Sequence, residues 1–176
     1  MRILITGGLG QIGSHIAELL LLRGDKVCVI DNLETGRKEH LKTNDSLDIY
    51  FETISNKDKV FEIVKNFNPD IIIHAAASYK SPDDWYKDTL TNCVGGANII
   101  EASKFYNIKR FIYFQTALCY GQKPLENPIT LKHPRIPSGS SYAITKTTNE
   151  LFLELSGINY VTFRLANVIG PRNVAG

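Results

Sequence analysis

Cysteine, long apolar runs and charge of one sign are all scarce in this sequence, and each scarcity removes a class of protein. The three cysteines, Cys28, Cys93 and Cys119, lie far apart and are odd in number. No CxxC pair or histidine-rich spacing accompanies them, so neither a disulfide framework nor a metal site is expected. The apolar run Leu19-Leu20-Leu21-Leu22 is far shorter than the roughly 20 residues needed to span a bilayer. Met1-Arg2-Ile3-Leu4-Ile5 runs straight into glycines with no export signal, so the expected compartment is the cytoplasm and no membrane partner is expected. Twenty basic residues against 18 acidic ones leave a formal charge of +2. Only Arg37-Lys38 and Lys109-Arg110 are adjacent basic pairs, the pattern of a solvated surface, which excludes nucleic acid as a leading partner. Hydrophobic residues at 43% and charged residues at 22% fit a folded globular chain, and 176 residues suffice for one domain with its own core.

Short apolar runs alternate with helical stretches, the signature of βαβ units around a parallel sheet. Strands are predicted over Arg2–Thr6, Lys26–Ile30, Asp48–Phe51, Ile71–Ile73, Arg110–Gln115 and Tyr160–Leu165. Helices are predicted over Ile12–Arg23, closed by Gly24, over Lys57–Asn66, from Pro82 to Phe105, and over Ser141–Leu155, ended by Gly157. Asp83 and Asp84 suit the positive end of the third helix dipole, and Gly95-Gly96 weakens its middle. Pro124, Pro128, Pro134 and Pro137 make 121–140 an irregular loop. The implied fold is α/β, a doubly wound parallel sheet of the Rossmann type with flanking helices.

Directly after the first strand, Thr6-Gly7-Gly8-Leu9-Gly10-Gln11-Ile12-Gly13 satisfies G-x-G-x-x-G through Gly8, Gly10 and Gly13, with Gly7 adding a second register. Glycines permit a tight turn and let backbone N–H groups approach a pyrophosphate, while the next helix turns its positive end towards the charge. Asp31 ends the second strand, near the expected offset for the carboxylate that binds adenine ribose hydroxyls. A carboxylate there repels the 2′-phosphate of NADP and favours NAD, although Arg37 and Lys38 lie close by.

Tyr142 and Lys146 are four apart at the start of a predicted helix and so share a face. Eight tyrosines and thirteen lysines make such a pair unremarkable by spacing alone, so its position in the chain carries the weight. A phenol with an ordinary pKa of about 10 is a poor base at neutral pH, and a nearby ammonium group is expected to lower it. Thr116, ending the fifth strand, puts a hydroxyl at the sheet edge where doubly wound folds bind ligands. His74 reads as packing at a strand end, and Arg164 as a strand residue with a local carboxylate partner. Trp85 and Tyr86 suit a helix interface.

These motifs, with Asp31-Asn32, His74-Ala75-Ala76-Ala77, Asn92, the run from Gln115 to Gly121, Tyr142-Ala-Ile-Thr-Lys146 and the run from Arg164 to Arg172, resemble the NAD-dependent epimerase/dehydratase family of extended short-chain dehydrogenases. The similarity spans the chain and is greatest to bacterial UDP-sugar 4-epimerases of surface-polysaccharide pathways. It implies that Gly7, Gly10, Gln11, Ile12, Asp31, Asn32 and Thr53 line an NAD site. Ile54, Ala75, Ala76, Ala77, Asn92, Tyr142 and Lys146 complete it by the same resemblance. It also implies a catalytic Thr116, Tyr142 and Lys146, with Thr116 and Asn167 meeting a nucleotide sugar, UDP-sugar above others, and a homodimer. Thr53 stands where many relatives carry an adenine-binding aspartate, so weaker adenine binding is implied. Ala117 and Leu118 occupy the places of an Asp-Glu pair typical of family dehydratases, which favours epimerase over dehydratase or decarboxylase. Relatives run to nearly twice this length, so the resemblance implies that the family's C-terminal substrate-binding domain is absent from or truncated in these 176 residues. That length leaves a non-catalytic NAD-binding module as a further reading.

Overall fold

Six parallel strands carry the fold in the computed structural model, which describes residues 1–79 and 83–173. They are β1 (Arg2–Thr6), β2 (Lys26–Ile30), β3 (Leu47–Tyr50), β4 (Ile71–His74), β5 (Arg110–Thr116) and β6 (Tyr160–Leu165). Their spatial order is β3-β2-β1-β4-β5-β6, with register fixed by pairs such as Leu4↔Cys28 and Leu4↔Ile72. Central strands of such a sheet are covered on both faces, which is why Ile3-Leu4-Ile5 and Val27-Cys28-Val29-Ile30 are continuous apolar runs and fully buried. The chain winds outwards in both directions from β1, and this switch point opens a crevice at the carboxyl ends of β1 and β4.

The helices are α1 (Gln11–Leu22), α2 (Lys57–Phe67), α3 (Trp85–Asp88), α4 (Gly96–Phe105) and α5 (Ser141–Ser156). One face of the sheet packs Leu4, Ile72, Phe111 and Tyr113 against Val64, Ile99 and Leu153 of α2, α4 and α5. The opposite face packs Ile3, Ile5, Val27 and Val29 against Ala17 and the α1 leucines. Beyond α1 on that face, Phe114 and Phe163 touch each other at 6.0 Å, and Phe163 remains exposed.

Helix ends follow local chemistry. Asn56 caps α2 by accepting from the Lys59 N–H, and the helix runs to Phe67, one residue beyond the expected end, where Asn68 closes it in a left-handed conformation at φ 46°. Ser140 caps α5 through the Ala143 N–H, and Gly157 terminates it at φ 74°. The expected start at Pro82 lies outside the described residues. Helical backbone begins at Trp85, where the Asp84 carboxylate accepts from the Lys87 N–H.

Between α3 and α4 the backbone adopts a π-helical segment, Thr89–Gly95, that periodicity did not reveal. Widened turns of this kind are uncommon and concentrate near functional sites. The glycine pair here serves close approach: a Cβ on Gly96 would sit 1.8 Å from the Asn149 amide nitrogen, and one on Gly95 would sit 2.5 Å from Ile54.

The 121–140 loop is irregular, as expected, but it is anchored. Arg135 holds Glu154 at 2.6 and 3.0 Å, and the His133 ring accepts the Leu125 N–H at 2.8 Å. Arg164 finds its carboxylate in the buried Glu150, at 2.8 Å, and also donates to the Tyr120 hydroxyl. Among the described residues, no helix is long and apolar enough to cross a membrane, and no cluster of metal-binding side chains occurs.

Candidate functional site

The switch point holds a cleft of about 580 Å³, within the range of small-molecule sites. Its floor is the glycine turn. Gly7 has φ +68°, and a Cβ there would lie 2.7 Å from the Ala76 backbone; a Cβ on Gly13 would lie 2.2 Å from the Gly7 carbonyl oxygen. Gly10, the residue before α1, has open space ahead of it apart from that same oxygen at 3.3 Å. Only a chain without side chains at these positions can bring the start of α1 this close to β1 and β4. The N–H groups of the first turn of α1 therefore open into the cleft, the geometry that suits a pyrophosphate.

Asp31 stands at the end of β2, almost fully buried. Its two carboxylate oxygens accept backbone N–H groups from Leu9 at 2.9 Å and Leu33 at 2.8 Å. One lone pair per oxygen remains open, so the residue both shapes the turn and faces the cleft. Asn32 folds its side chain onto the Glu34 N–H. Farther along, Thr53 shares its hydroxyl with Ser55 at 2.8 Å, and its N–H is taken by Glu52 at 2.7 Å. Glu52 itself lines the cleft, a carboxylate beside Thr53 that the sequence reading had not singled out.

Gln11, Ile12, Ile54, Ala75, Ala76 and Ala77 also line the cleft. Asn92 does not. Its amide nitrogen donates to the Ser78 carbonyl at 2.9 Å and to the Thr145 hydroxyl at 3.0 Å, and its oxygen accepts the Ser78 N–H at 2.8 Å. All its polar capacity on that side holds the segment after β4 against α5, so it supports the wall from behind.

Thr116, Tyr142 and Lys146 line the same cleft. The Thr116 oxygen accepts the Leu118 N–H at 3.2 Å, which leaves its own proton available to the Tyr142 oxygen. Burial pushes Tyr142 up to about 12, and the bond from Thr116 works against that rise. Burial also takes Lys146 down to about 7. The expectation that Lys146 lowers the tyrosine is therefore corrected: desolvation dominates both groups, and the group that favours the phenolate here is the Thr116 hydroxyl.

The sequence reading assigned no role to two side chains that hold Lys146 in place. The Gln115 amide nitrogen donates to the Lys146 carbonyl and to Glu150, both at 3.1 Å, while its oxygen accepts the Thr116 N–H at 2.8 Å. Tyr113, two residues earlier on the same face of β5, donates its hydroxyl to the same Lys146 carbonyl at 2.8 Å. The only sequence signal was a glutamine and a tyrosine inside an apolar strand.

The segment after β6 folds back over α1. Arg172 donates to the Ser14 hydroxyl at 3.3 Å and pairs with Glu18 at 3.0 Å, and Gln11 reaches the Gly170 carbonyl at 3.4 Å. This brings Asn167 and Asn173 to the rim of the cleft. His74, at the end of β4, is buried beneath it, 2.6 Å from the Thr6 hydroxyl, with its Nε2 unpartnered.

A doubly wound sheet, a glycine turn with its acidic partner, and a Thr–Tyr–Lys set on one cleft define a dinucleotide-binding protein of the short-chain dehydrogenase type. The chain belongs to the NAD dependent epimerase/dehydratase family, whose model matches residues 3–176. It is 32% identical over 180 residues to a UDP-glucose 4-epimerase of Halalkalibacterium halodurans, covering 97% of this chain and 52% of the relative. It superposes on the Bordetella bronchiseptica enzyme WbmH, solved with NAD+, at a TM-score of 0.97 and 59% identity, covering 99% of this chain and 58% of that one. WbmG of the same organism, solved with NAD and UDP, matches at 0.95 and 42% identity over all of this chain and 56% of its own. The chain thus spans about half the length of the curated relatives it matches.

Proposed function

We propose that this chain is the NAD-binding half of a nucleotide-sugar 4-epimerase, with a UDP-sugar as substrate. The observation that carries the reading is the convergence of Thr116, Tyr142 and Lys146 on the cleft whose other end is the Gly7–Gly13 turn and Asp31. The glycine cradle fits a pyrophosphate and the two open lone pairs of Asp31 fit a ribose diol, so the residues suit NAD. Bound NAD supplies the acceptor, and then the donor, of a hydride. Tyr142 takes the proton of the sugar hydroxyl as the 4-keto sugar forms and returns it when the opposite epimer is made. Thr116 bonds the same oxygen and stabilises the phenolate. Lys146 offers its ammonium group to the nicotinamide ribose.

No carboxylate follows Thr116, since Ala117 and Leu118 fill that wall, and this supports epimerisation over dehydration. The WbmG complex with NAD and UDP supports the nucleotide-sugar class. We place the reaction in the cytoplasmic synthesis of surface-polysaccharide precursors, including those of lipopolysaccharide. The test is incubation of a polypeptide extended to the relatives' length with UDP-, GDP- and dTDP-sugars, with NMR of the products. Absence of any epimer across that panel sinks the proposal.

NAD should bind more tightly than NADP. Asp31→Ala should weaken NAD by roughly tenfold or more, the worth of hydrogen bonds to a charged group, and should collapse the preference. Calorimetry with both dinucleotides measures it, and equal affinities in the unaltered protein contradict the role given to Asp31.

We also propose a homodimer through α3, α4 and α5. Trp85, Tyr86, Phe105, Ile144, Leu151 and Leu155 are all exposed on these helices, an apolar extent that a soluble monomer seldom leaves uncovered. Sedimentation at micromolar concentration should show a dimer, in this chain or its extended form. A monomer in both counts against it.

A further inference from the structure

We propose that Tyr113 is a positioning residue for Lys146, holding the lysine backbone with its hydroxyl and the ammonium group with the face of its ring. Tyr113 sits on β5 and is fully buried. Its hydroxyl donates to the Lys146 carbonyl at 2.8 Å, and the Lys146 Nζ lies 4.3 Å from its ring centroid. A single side chain therefore meets the lysine at both ends.

The electrostatic surroundings give the ring its importance. Lys146 is almost wholly buried, and burial disfavours its charged form. An aromatic face attracts a cation, most strongly where water is excluded. The neighbouring groups provide no stronger anchor. His74 of β4 stacks on the same ring at 5.6 Å, and burial takes it down to about 3, so it is neutral at working pH. Tyr142 precedes Lys146 by one turn of α5, and burial pushes it up to about 12, so in the free protein it offers no standing negative charge to the lysine. Glu150, one turn later, faces Tyr113 but commits its oxygens to Arg164 and Gln115. The ring is thus the group that keeps an ammonium form accessible at a site where ribose hydroxyls need a donor. The value of that donor rests on the NAD reading above; the contact itself does not.

The test labels the lysine ε-carbons with ¹³C and follows the Lys146 titration by NMR in this chain. Tyr113→Phe keeps the ring and should leave the midpoint where it is. Tyr113→Leu removes the ring and should lower the midpoint by roughly 1.5 pH units, the size of a desolvated cation–π contact. A purely structural role predicts the opposite sign, because a loosened core admits water and raises a buried lysine. A midpoint that stays or rises in Tyr113→Leu overturns the proposal. Should that variant fail to fold, the unaltered protein still decides: the Lys146 ε-methylene protons must show an upfield ring-current shift, and unshifted protons overturn it. Calorimetry with NAD is run alongside. Expected titrations without NAD binding would overturn the cofactor reading and leave Tyr113 in its role.

Discussion

Tyr142→Phe, in a polypeptide extended to the relatives' length, should lower turnover by roughly 10²–10⁴, the span typical of a lost general base, while NAD affinity changes little. The ring and its packing survive the substitution. Only the oxygen that Thr116 bonds is removed, so binding persists and proton transfer does not. Thr116→Val tests the same oxygen from the other side. The hydrogen bond from Thr116 works against the burial that raises Tyr142 to about 12, so its loss should raise the tyrosine further and move the pH–rate profile to higher pH. Lys146→Met should weaken NAD as well as turnover, because it removes a donor to the cofactor. Near-normal turnover in Tyr142→Phe would falsify the role assigned here, and an unmoved profile in Thr116→Val would remove the tuning role of the threonine.

The stability of the fold should fall on mild acidification, and His74 is the cause. Burial, with a smaller contribution from the Lys146 charge, takes His74 from its ordinary 6.5 down to about 3. The unfolded chain therefore binds a proton over a range in which the folded chain does not. The stability this represents is fully present above pH 6.5 and is lost as pH falls towards 3. One such group makes unfolding easier by about 2 kcal/mol at pH 5 relative to pH 7 and above. Urea titrations at pH 7, 6 and 5 measure the slope. His74→Leu, although it forfeits the 2.6 Å contact with Thr6, should flatten the dependence between pH 6.5 and 5. A flat profile in the unaltered protein, or an unchanged slope in His74→Leu, refutes the assignment.

Strands β1, β2 and β6 begin and end at the residues their apolar runs mark, because a strand buried on both faces must be continuously apolar and glycine or loop residues bound it. Helix α2 starts at Lys57 as expected, where the Asn56 side chain caps it, but runs one residue past its expected end before Asn68 closes it through its backbone, and neither cap is visible from periodicity. The π-helical turn between Thr89 and Gly95 is less legible still. Its geometry is set by the contacts that Gly95 and Gly96 allow with Ile54 and Asn149, which lie 41 and 53 residues away in the chain.

The amino-acid sequence by itself determined the class of fold, and it pointed to the glycine turn with its acidic partner and to Thr116, Tyr142 and Lys146 as candidates. The first two depend on short-range patterns, apolar runs, glycines in one turn and a carboxylate one βα unit later, whereas the Thr–Tyr–Lys set was marked by its place in the chain and by resemblance to the family. Only the tertiary structure decided what those groups experience. Asp31 divides its lone pairs between backbone and cleft, Asn92 supports the wall instead of lining it, and Thr116 rather than Lys146 favours the phenolate. Tyr113 and Gln115 reach a carbonyl more than thirty residues away, and Arg172 ties the chain beyond β6 to α1. Burial and dielectric are properties of a packed volume, to which residues remote in sequence contribute together, so they come into being only when the sheet and its helices close.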